Sequence, residues 1–151
     1  MKVFFCLVFS IFVLGACSAR HDSFSRFESI PDSGWPYGDT ISFIPAGLDS
    51  ASSGNVSVAV RHSNDYPYRN LWLEVTYGNA PEFRRDTVDI QLADAYGRWH
   101  GNGLGPSYQI SVPVASRVNL NDSSRVFIRH IMRVDTIIGI TSVGLTVESP
   151  D

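Results

Sequence analysis

The sequence is poor in cysteine and lysine, and each shortage excludes a class of chemistry. Both cysteines, Cys6 and Cys17, and the only lysine, Lys2, lie within the first 17 of its 151 residues. Beyond Cys17 no thiol remains for a disulfide framework, a thiolate zinc site or a cysteine nucleophile. Without lysine, Schiff-base catalysis and a Walker-type phosphate site are excluded as well.

Positive charge is also scarce. Twelve Lys plus Arg residues oppose 15 Asp plus Glu residues, for a formal net charge of −3. Such a chain has no basic surface for nucleic acid, and no nucleic-acid partner is expected. With 44% hydrophobic and 18% charged residues, the composition is typical of one folded domain.

The first 16 residues have the organisation of a signal peptide. A basic residue near the start is followed by an apolar run at positions 3–14 and two small residues before Cys17. Twelve apolar residues rise only about 18 Å as a helix, whereas the hydrocarbon core is about 30 Å thick. We therefore predict a cleaved signal peptide at 1–16 rather than a permanent span. The sequence LGAC at 14–17 resembles a bacterial lipobox, which predicts acylation of Cys17; a plain secretory signal is the alternative.

The remainder divides into a tether and a β domain. Residues 17–34 show no sustained hydrophobic period and predict a lipidated N-terminus with a tether. Residues 35–151 contain short apolar-alternating runs separated by Gly, Pro, Asn, Asp and Ser, which predicts a single all-β domain. We expect about seven antiparallel strands in an immunoglobulin-like or jelly-roll-like β-sandwich. Pro113 should place its strand at a sheet edge. The predicted strands lie near 41–43, 56–60, 71–77, 88–92, 108–114, 126–132 and 143–147.

Two connections carry aromatic residues that could contact a partner. The first has the sequence NDYPYRNL at 64–71, in which Asn64 and Asp65 favour a turn. Its two tyrosines either cap the core or present a stiff, amphipathic contact surface. The second, at 94–105, has four glycines around Trp99. A strand rather than a helix follows it, which argues against a phosphate cradle. It is either a long β connection with Trp99 folded on the core or a contact loop.

No set of catalytic or metal-ligating residues stands out. The four histidines show no HxH or HExxH spacing, and the serines lack a G-x-S-x-G elbow. His130 shares the inward face of its predicted strand, so we expect a hydrogen-bonded core histidine. We predict no enzyme activity, no metal and no cofactor.

The order of these segments resembles a known family. GWPYGDTISF, NDYPYRNLWLEV, DTVDIQLADAYGRWHGNG and HIMRVDTIIGITSVGLTVE follow the lipobox at spacings similar to the GldH gliding-motility lipoproteins of the Bacteroidota. The resemblance implies a non-catalytic envelope lipoprotein that binds or scaffolds proteins of the gliding apparatus and its linked secretion system. No acidic run follows Cys17, which favours a periplasm-facing anchor in the inner leaflet of the outer membrane. Palmitate would be among its acyl chains.

These interpretations give a candidate partner surface and a candidate modification site. The partner surface comprises Asn64, Asp65, Tyr66, Tyr68, Trp99, Gly101 and Gly103. Four Asp-Ser/Thr-aliphatic triplets resemble O-glycosylation acceptors of the same phylum, and Ser50 is the best of them. The alternative function is a periplasmic glycan-binding or hydrolytic module, in which Trp72 or Trp99 would stack on a sugar ring.

Overall fold

The computed structural model describes residues 23–48 and 53–150, and the regular elements within them are β-strands. In chain order these are β1 Ser23–Ser29, β2 Trp35–Pro36, β3 Ile41–Phe43, β4 Ser53–Ser63, β5 Asn70–Asn79, β6 Glu82–Gln91, β7 Asn102–Leu104, β8 Ser107–Asn119, β9 Arg125–His130, β10 Thr136–Ile137 and β11 Ile140–Glu148. No helix that could cross a membrane occurs in these two ranges.

The strands form two antiparallel sheets that pack as a sandwich. One sheet has the order β1-β11-β4-β8-β7 and the other the order β3-β9-β5-β6, while β2 and β10 form a separate two-residue ribbon. Alternation of side chains builds the core, because Val56, Val58 and Val60 of β4 and Leu71 and Leu73 of β5 are fully buried. The predicted all-β sandwich is confirmed.

The structure adds strands to the seven predicted from hydrophobic alternation. All seven are present, and β2, β7 and β10 are extra pairings of two or three residues. Such short pairings have too few positions to show a period of two. Pro113 lies where predicted, since β7 covers only residues 107–109 of β8 and leaves the outer side of Pro113 without a strand partner among the described residues.

The largest correction concerns the predicted tether. Residues 23–29, assigned to it from sequence, form β1 and pair with β11 from Ser23↔Glu148 to Ser29↔Ser142. The strand is held by backbone pairing at a sheet edge, so its side chains need not alternate. The domain therefore begins before Trp35. The signal peptide at 1–16, Cys17 and residues 18–22 lie outside the described residues.

The sandwich has two distinct ends, which the strand register defines. At one, Ser23 pairs with Glu148 and Ser53 with Asn119, and residues 117–119 share a cavity with the β5–β6 hairpin. Since β1 begins here, we call it the tether end. At the other end, His62 pairs with both Ile140 and Tyr108. We call this the loop end, because the connections at 64–69 and 94–101 lie there.

Candidate functional site

The connection at 64–69 is a rigid turn with one tyrosine inside and one outside. The backbone N–H of Asp65 donates to the Ser63 hydroxyl at 3.2 Å, and that hydroxyl donates to the Asp65 carboxylate at 3.3 Å. The chain then turns Tyr66 inward, where only 2% of it is exposed. Tyr68 remains 36% exposed, with its ring 5.7 Å from that of Tyr66. Asn64 and Asp65 are exposed.

Tyr66 must therefore be removed from the predicted partner surface. Its hydroxyl donates to the Asn70 carbonyl oxygen at 2.6 Å, so the side-chain polar atom of this buried tyrosine has a hydrogen-bond partner. Desolvation raises the pKa of Tyr66 well above its usual value near 10. Gly139 permits this packing, because a Cβ there would collide with the Tyr66 backbone. The sequence offered both interpretations of the tyrosines, and Tyr66 follows the core-capping one.

The glycine-rich connection is organised by Asp94. Its carboxylate accepts the backbone N–H groups of Tyr96 at 2.8 Å and Arg98 at 2.9 Å, and the Arg98 Nε at 2.7 Å. These hydrogen bonds, the backbone bond from Arg98 first among them, lower the pKa of Asp94. The result is a closed turn that leaves Tyr96 87% exposed and brings the chain back at Trp99.

Trp99 joins the two connections instead of projecting into solvent. It bridges to Ala93 and is half-buried against the core, with its ring 4.6 Å from that of His62. Its indole N–H donates to the Asn64 side-chain oxygen at 2.9 Å. The structure thus brings Trp99 and Asn64 of the two connections together, and the Trp99 ring is half-buried within the fold.

Gly101 and Gly103 are exposed and allow close packing of the loop on β8. Gly101 has a φ of 89°, and Gly103 lies against the Tyr108 ring. A side chain at either position would meet β8, so the close packing of this loop depends on glycine at both. Gly103 also lines an open cavity of about 480 Å³ together with Arg61 and Gln109.

The accessible surface at the loop end is broader than predicted. Tyr68 and Trp72, the latter 40% exposed, flank an open groove of about 690 Å³. Its floor includes Met132, whose sulfur accepts the Trp72 backbone N–H at 3.4 Å, and Val134; Arg133 lies at the rim. Sequence reasoning named Trp72 only for the glycan alternative, although its outward position in the β5 alternation was readable.

Most exposed large hydrophobic side chains lie at the loop end. Seven are exposed in the described residues, and five of these surround the loop end: Tyr37, Tyr68, Trp72, Tyr96 and Ile138. The other two, Ile44 and Phe83, lie at the tether end. The exposed large hydrophobic side chains of the described residues are therefore concentrated toward the loop end.

Each of the two buried histidines is hydrogen-bonded to a backbone carbonyl oxygen. His130 is fully buried, as predicted, and its Nε2 donates to the Trp35 carbonyl oxygen at 3.0 Å. His62 donates from Nδ1 to the Ser63 carbonyl at 3.1 Å. Burial lowers the pKa of both. No group of three or more His, Cys, Asp or Glu residues within 23–48 and 53–150 is placed to hold a metal ion.

The proposed modification site is outside this geometry. Ser50 lies outside the described residues, so its O-glycosylation stays a prediction. The acceptor threonines of the other triplets, Thr40, Thr87 and Thr136, are all exposed.

The fold defines a class: a small all-β sandwich domain whose exposed large hydrophobic side chains, among the described residues, lie mainly at one end. Comparison with known proteins makes the assignment specific. Residues 22–147 match the family described as GldH lipoprotein. The chain belongs to that family and is thus a membrane-anchored envelope lipoprotein.

Two relatives span nearly the whole chain. The gliding motility lipoprotein GldH of Flavobacterium johnsoniae is 28% identical over 96% of this chain and 95% of its own length. A gliding motility lipoprotein GldH homolog of Christiangramia forsetii is 26% identical over 97% of this chain and 95% of its own.

Solved structures show only distant likeness. An exo-beta-1,3-galactanase from Phanerochaete chrysosporium aligns with a TM-score of 0.41 and 13% identity, over 84% of this chain but 27% of its own. A tobacco streak virus coat protein aligns with a TM-score of 0.28 and 10% identity, over 84% of this chain and 86% of its own. Neither likeness bears on function.

Proposed function

We propose that this protein is a non-catalytic lipoprotein, anchored through Cys17, whose loop end binds protein components of the gliding apparatus and its linked secretion system. The observation that carries the proposal is the separation of the two ends. The first described strand, β1, begins at one end, and five of the seven exposed large hydrophobic side chains in the described residues lie at the other. A membrane-tethered protein can thereby present its contact surface away from the bilayer.

The groove beside Tyr68 and Trp72 is the centre of the proposed contact. Aromatic residues and methionine are enriched in the cores of protein interfaces, where arginine contributes directional hydrogen bonds. All three residue types occur here, because the groove is lined by Tyr68, Trp72, Met132 and Arg133. A protein partner with an apolar projection and a carboxylate would fit this combination.

The proposed membrane is the outer membrane, with the protein on its inner leaflet and palmitate among the acyl chains. Support comes from the sequence beyond Cys17, SARHDSF, which has no run of acidic residues. Fractionation of inner and outer membranes, with protease added to intact cells, tests both parts of this placement. Digestion in intact cells would contradict the periplasm-facing orientation.

Crosslinking in intact cells tests the protein-binding function. A C-terminally tagged protein is crosslinked, recovered and analysed by mass spectrometry beside a Cys17→Ala variant and a Tyr68→Ala/Trp72→Ala variant. We expect gliding or secretion components to be enriched with the unmodified protein and reduced with both variants. Phe83→Ala is the matched control, because Phe83 is as exposed as Trp72 (41% against 40%) but lies at the opposite end. Equal recovery with all variants would refute the proposed surface.

A saccharide ligand is the second candidate, and one observation favours it. Trp72 stands opposite Asp89 in the β5–β6 pair, and Asp89 is held by the side-chain amides of Asn70 at 2.8 Å and Gln91 at 2.7 Å. An exposed indole beside an ordered amide and carboxylate cluster suits a sugar ring. Calorimetric titration with purified envelope polysaccharide tests it, and binding that disappears in Trp72→Ala would favour this candidate over a protein partner.

A further inference from the structure

Two exposed large hydrophobic side chains in the described residues, Ile44 and Phe83, lie at the tether end. Phe83 is 41% exposed, pairs opposite Gly78 in the β5–β6 hairpin and lies 6.0 Å from the Phe127 ring. Ile44 is 49% exposed and directly follows β3. Both therefore stand at the end where β1 begins, near opposite edges of the four-stranded sheet.

Two exposed arginines lie near Phe83 at this end, one on β6 and one on β8. Arg84 and Arg117 line a cavity of about 350 Å³ together with Tyr77 and Asn119. Arg117 has a φ of 54°, a backbone conformation that is uncommon for a residue with a side chain. Their guanidinium groups supply fixed donor forks that match phosphate oxygens.

The net charge of the tether end does not by itself orient the domain on a bilayer. Among the described residues of this end, the arginines Arg84, Arg117 and Arg125 are matched by three carboxylates, Glu82, Asp122 and Glu148. Local hydrogen bonding and apolar contact, not a net positive field, must therefore carry any interaction with a bilayer.

The length of chain before β1 limits where this end can be. Six residue steps separate Cys17 from Ser23, and a fully extended chain covers at most about 20 Å in that interval. The eleven residues of β4 span about 36 Å along the sandwich. An acylated Cys17 therefore keeps the tether end close to the bilayer, a step that rests on the anchor proposed above.

We infer that the tether end is a membrane-contact surface on the bilayer that holds the acyl chains. Phe83 and Ile44 enter the lipid interface, and Arg84 and Arg117 donate hydrogen bonds to lipid phosphates. The acyl chains supply the affinity, and this surface supplies the orientation, with the loop end held away from the membrane. The sandwich thus stands upright on the bilayer instead of pivoting freely on its tether.

Site-specific fluorescence tests this orientation. The mature lipidated protein is reconstituted in vesicles of phosphatidylethanolamine and phosphatidylglycerol, some of which contain brominated lipid. No cysteine occurs between residue 18 and the C-terminus, so Phe83→Cys provides a single site for an environment-sensitive fluorophore. Trp72→Cys is the matched control at the loop end. We expect a blue shift and quenching by brominated lipid at position 83, and neither at position 72.

A second labelled position guards against an effect of replacing Phe83 itself. Ile44→Cys leaves Phe83 in place and should also be quenched. Adding Arg84→Gln and Arg117→Asn should reduce that quenching; asparagine is chosen because it tolerates positive φ. Circular dichroism confirms folding of each variant.

Each outcome has a separate meaning. Vesicle-bound protein with positions 44 and 83 unquenched would overturn the contact surface while leaving the anchor intact. Protein that fails to remain with the vesicles would overturn both the anchor and the surface that rests on it. Quenching at position 72 as strong as at 83 would show a sandwich lying on its side, which also contradicts the inference.

Discussion

At the scale of single residues, neighbours in one short connection have opposite roles. Tyr66 and Tyr68 are separated only by Pro67, yet one is sealed in the core and the other faces the groove. The burial of Tyr66 depends on a single hydrogen bond to the Asn70 carbonyl oxygen. Removing that hydroxyl leaves a buried acceptor without its partner.

Tyr66→Phe should lower the free energy of unfolding by about 1 kcal/mol, the usual value of a lost hydrogen bond. Urea denaturation followed by circular dichroism measures the change. Tyr96→Phe is the control, because the Tyr96 side chain is 87% exposed and its substitution should leave the midpoint unchanged. Equal effects of the two substitutions would contradict the role given to Tyr66.

The buried histidines make stability depend on pH. Burial lowers the pKa of His62 and of His130 below the usual value near 6.5 in the folded state. The unfolded chain consequently takes up protons first as the pH falls, so acid favours unfolding. Stability is complete above about pH 6.5 and declines as the pH falls from there through the folded pKa values.

We therefore expect the urea midpoint to fall between pH 7.5 and pH 5, and His62→Phe to flatten that dependence. Above pH 5 the carboxylates contribute little; the hydrogen bond from Arg129, for example, lowers the pKa of Glu74 below its usual 4.5. His100→Gln is the control, since His100 is exposed. A midpoint that rose on acidification would reverse the assigned sign.

At the scale of elements, β1 is the longest of the strands that the hydrophobic pattern missed. Its Phe27 ring lies over Gly144 of β11, and the Arg61 guanidinium stacks 3.8 Å above the ring centroid. A Cβ at Gly144 would come within 2.7 Å of the Phe27 ring. Besides its backbone pairing with β11, β1 is thus attached by the packing of the Phe27 ring into the space left by Gly144.

Gly144→Ala should destabilise the protein by about 1 to 3 kcal/mol, because it overpacks this contact. In a Phe27→Ala background the same substitution should cost much less, since the space it needs is vacant. A double-mutant cycle by urea denaturation measures the difference, and hydrogen exchange of the β1 amides locates it. Additive effects would exclude the proposed coupling.

At the scale of the whole molecule, the two ends have different proposed functions: membrane contact at the tether end and partner binding at the loop end. The tether end holds the start of β1, Ile44 and Phe83, and the loop end holds the groove beside Tyr68 and Trp72. The substitutions at one end alter no contact at the other, because the sandwich core separates them. The two proposed functions should therefore be separable by mutation.

We expect Tyr68→Ala/Trp72→Ala to lose crosslinked partners while the label at position 44 stays quenched by brominated lipid. The double variant Phe83→Ala/Ile44→Ala should retain its crosslinked partners but lose its fixed orientation on vesicles. A fluorophore at another tether-end position, such as Glu148→Cys, measures that orientation. Loss of both readouts from changes at one end would mean that orientation and partner binding are coupled.

The sequence alone determined the class of fold and the family. Alternation with a period of two is local, so seven of the strands and the inward position of His130 could be predicted residue by residue. The absence of thiols beyond Cys17 likewise excluded whole classes of site from composition alone. Those properties depend on residue identity and spacing, which can be read directly from the sequence.

Only the tertiary structure decided which aromatic residues are accessible. Tyr66 and Tyr68 have the same chemistry and nearly the same position in the chain; the Asn70 carbonyl and Gly139 place one of them inside. Trp99 is half-buried, and its indole N–H donates to Asn64, 35 residues away. Strand β1 pairs with β11, more than a hundred residues later in the chain. Exposure and edge pairing are set by contacts between distant residues, and no local pattern contains them.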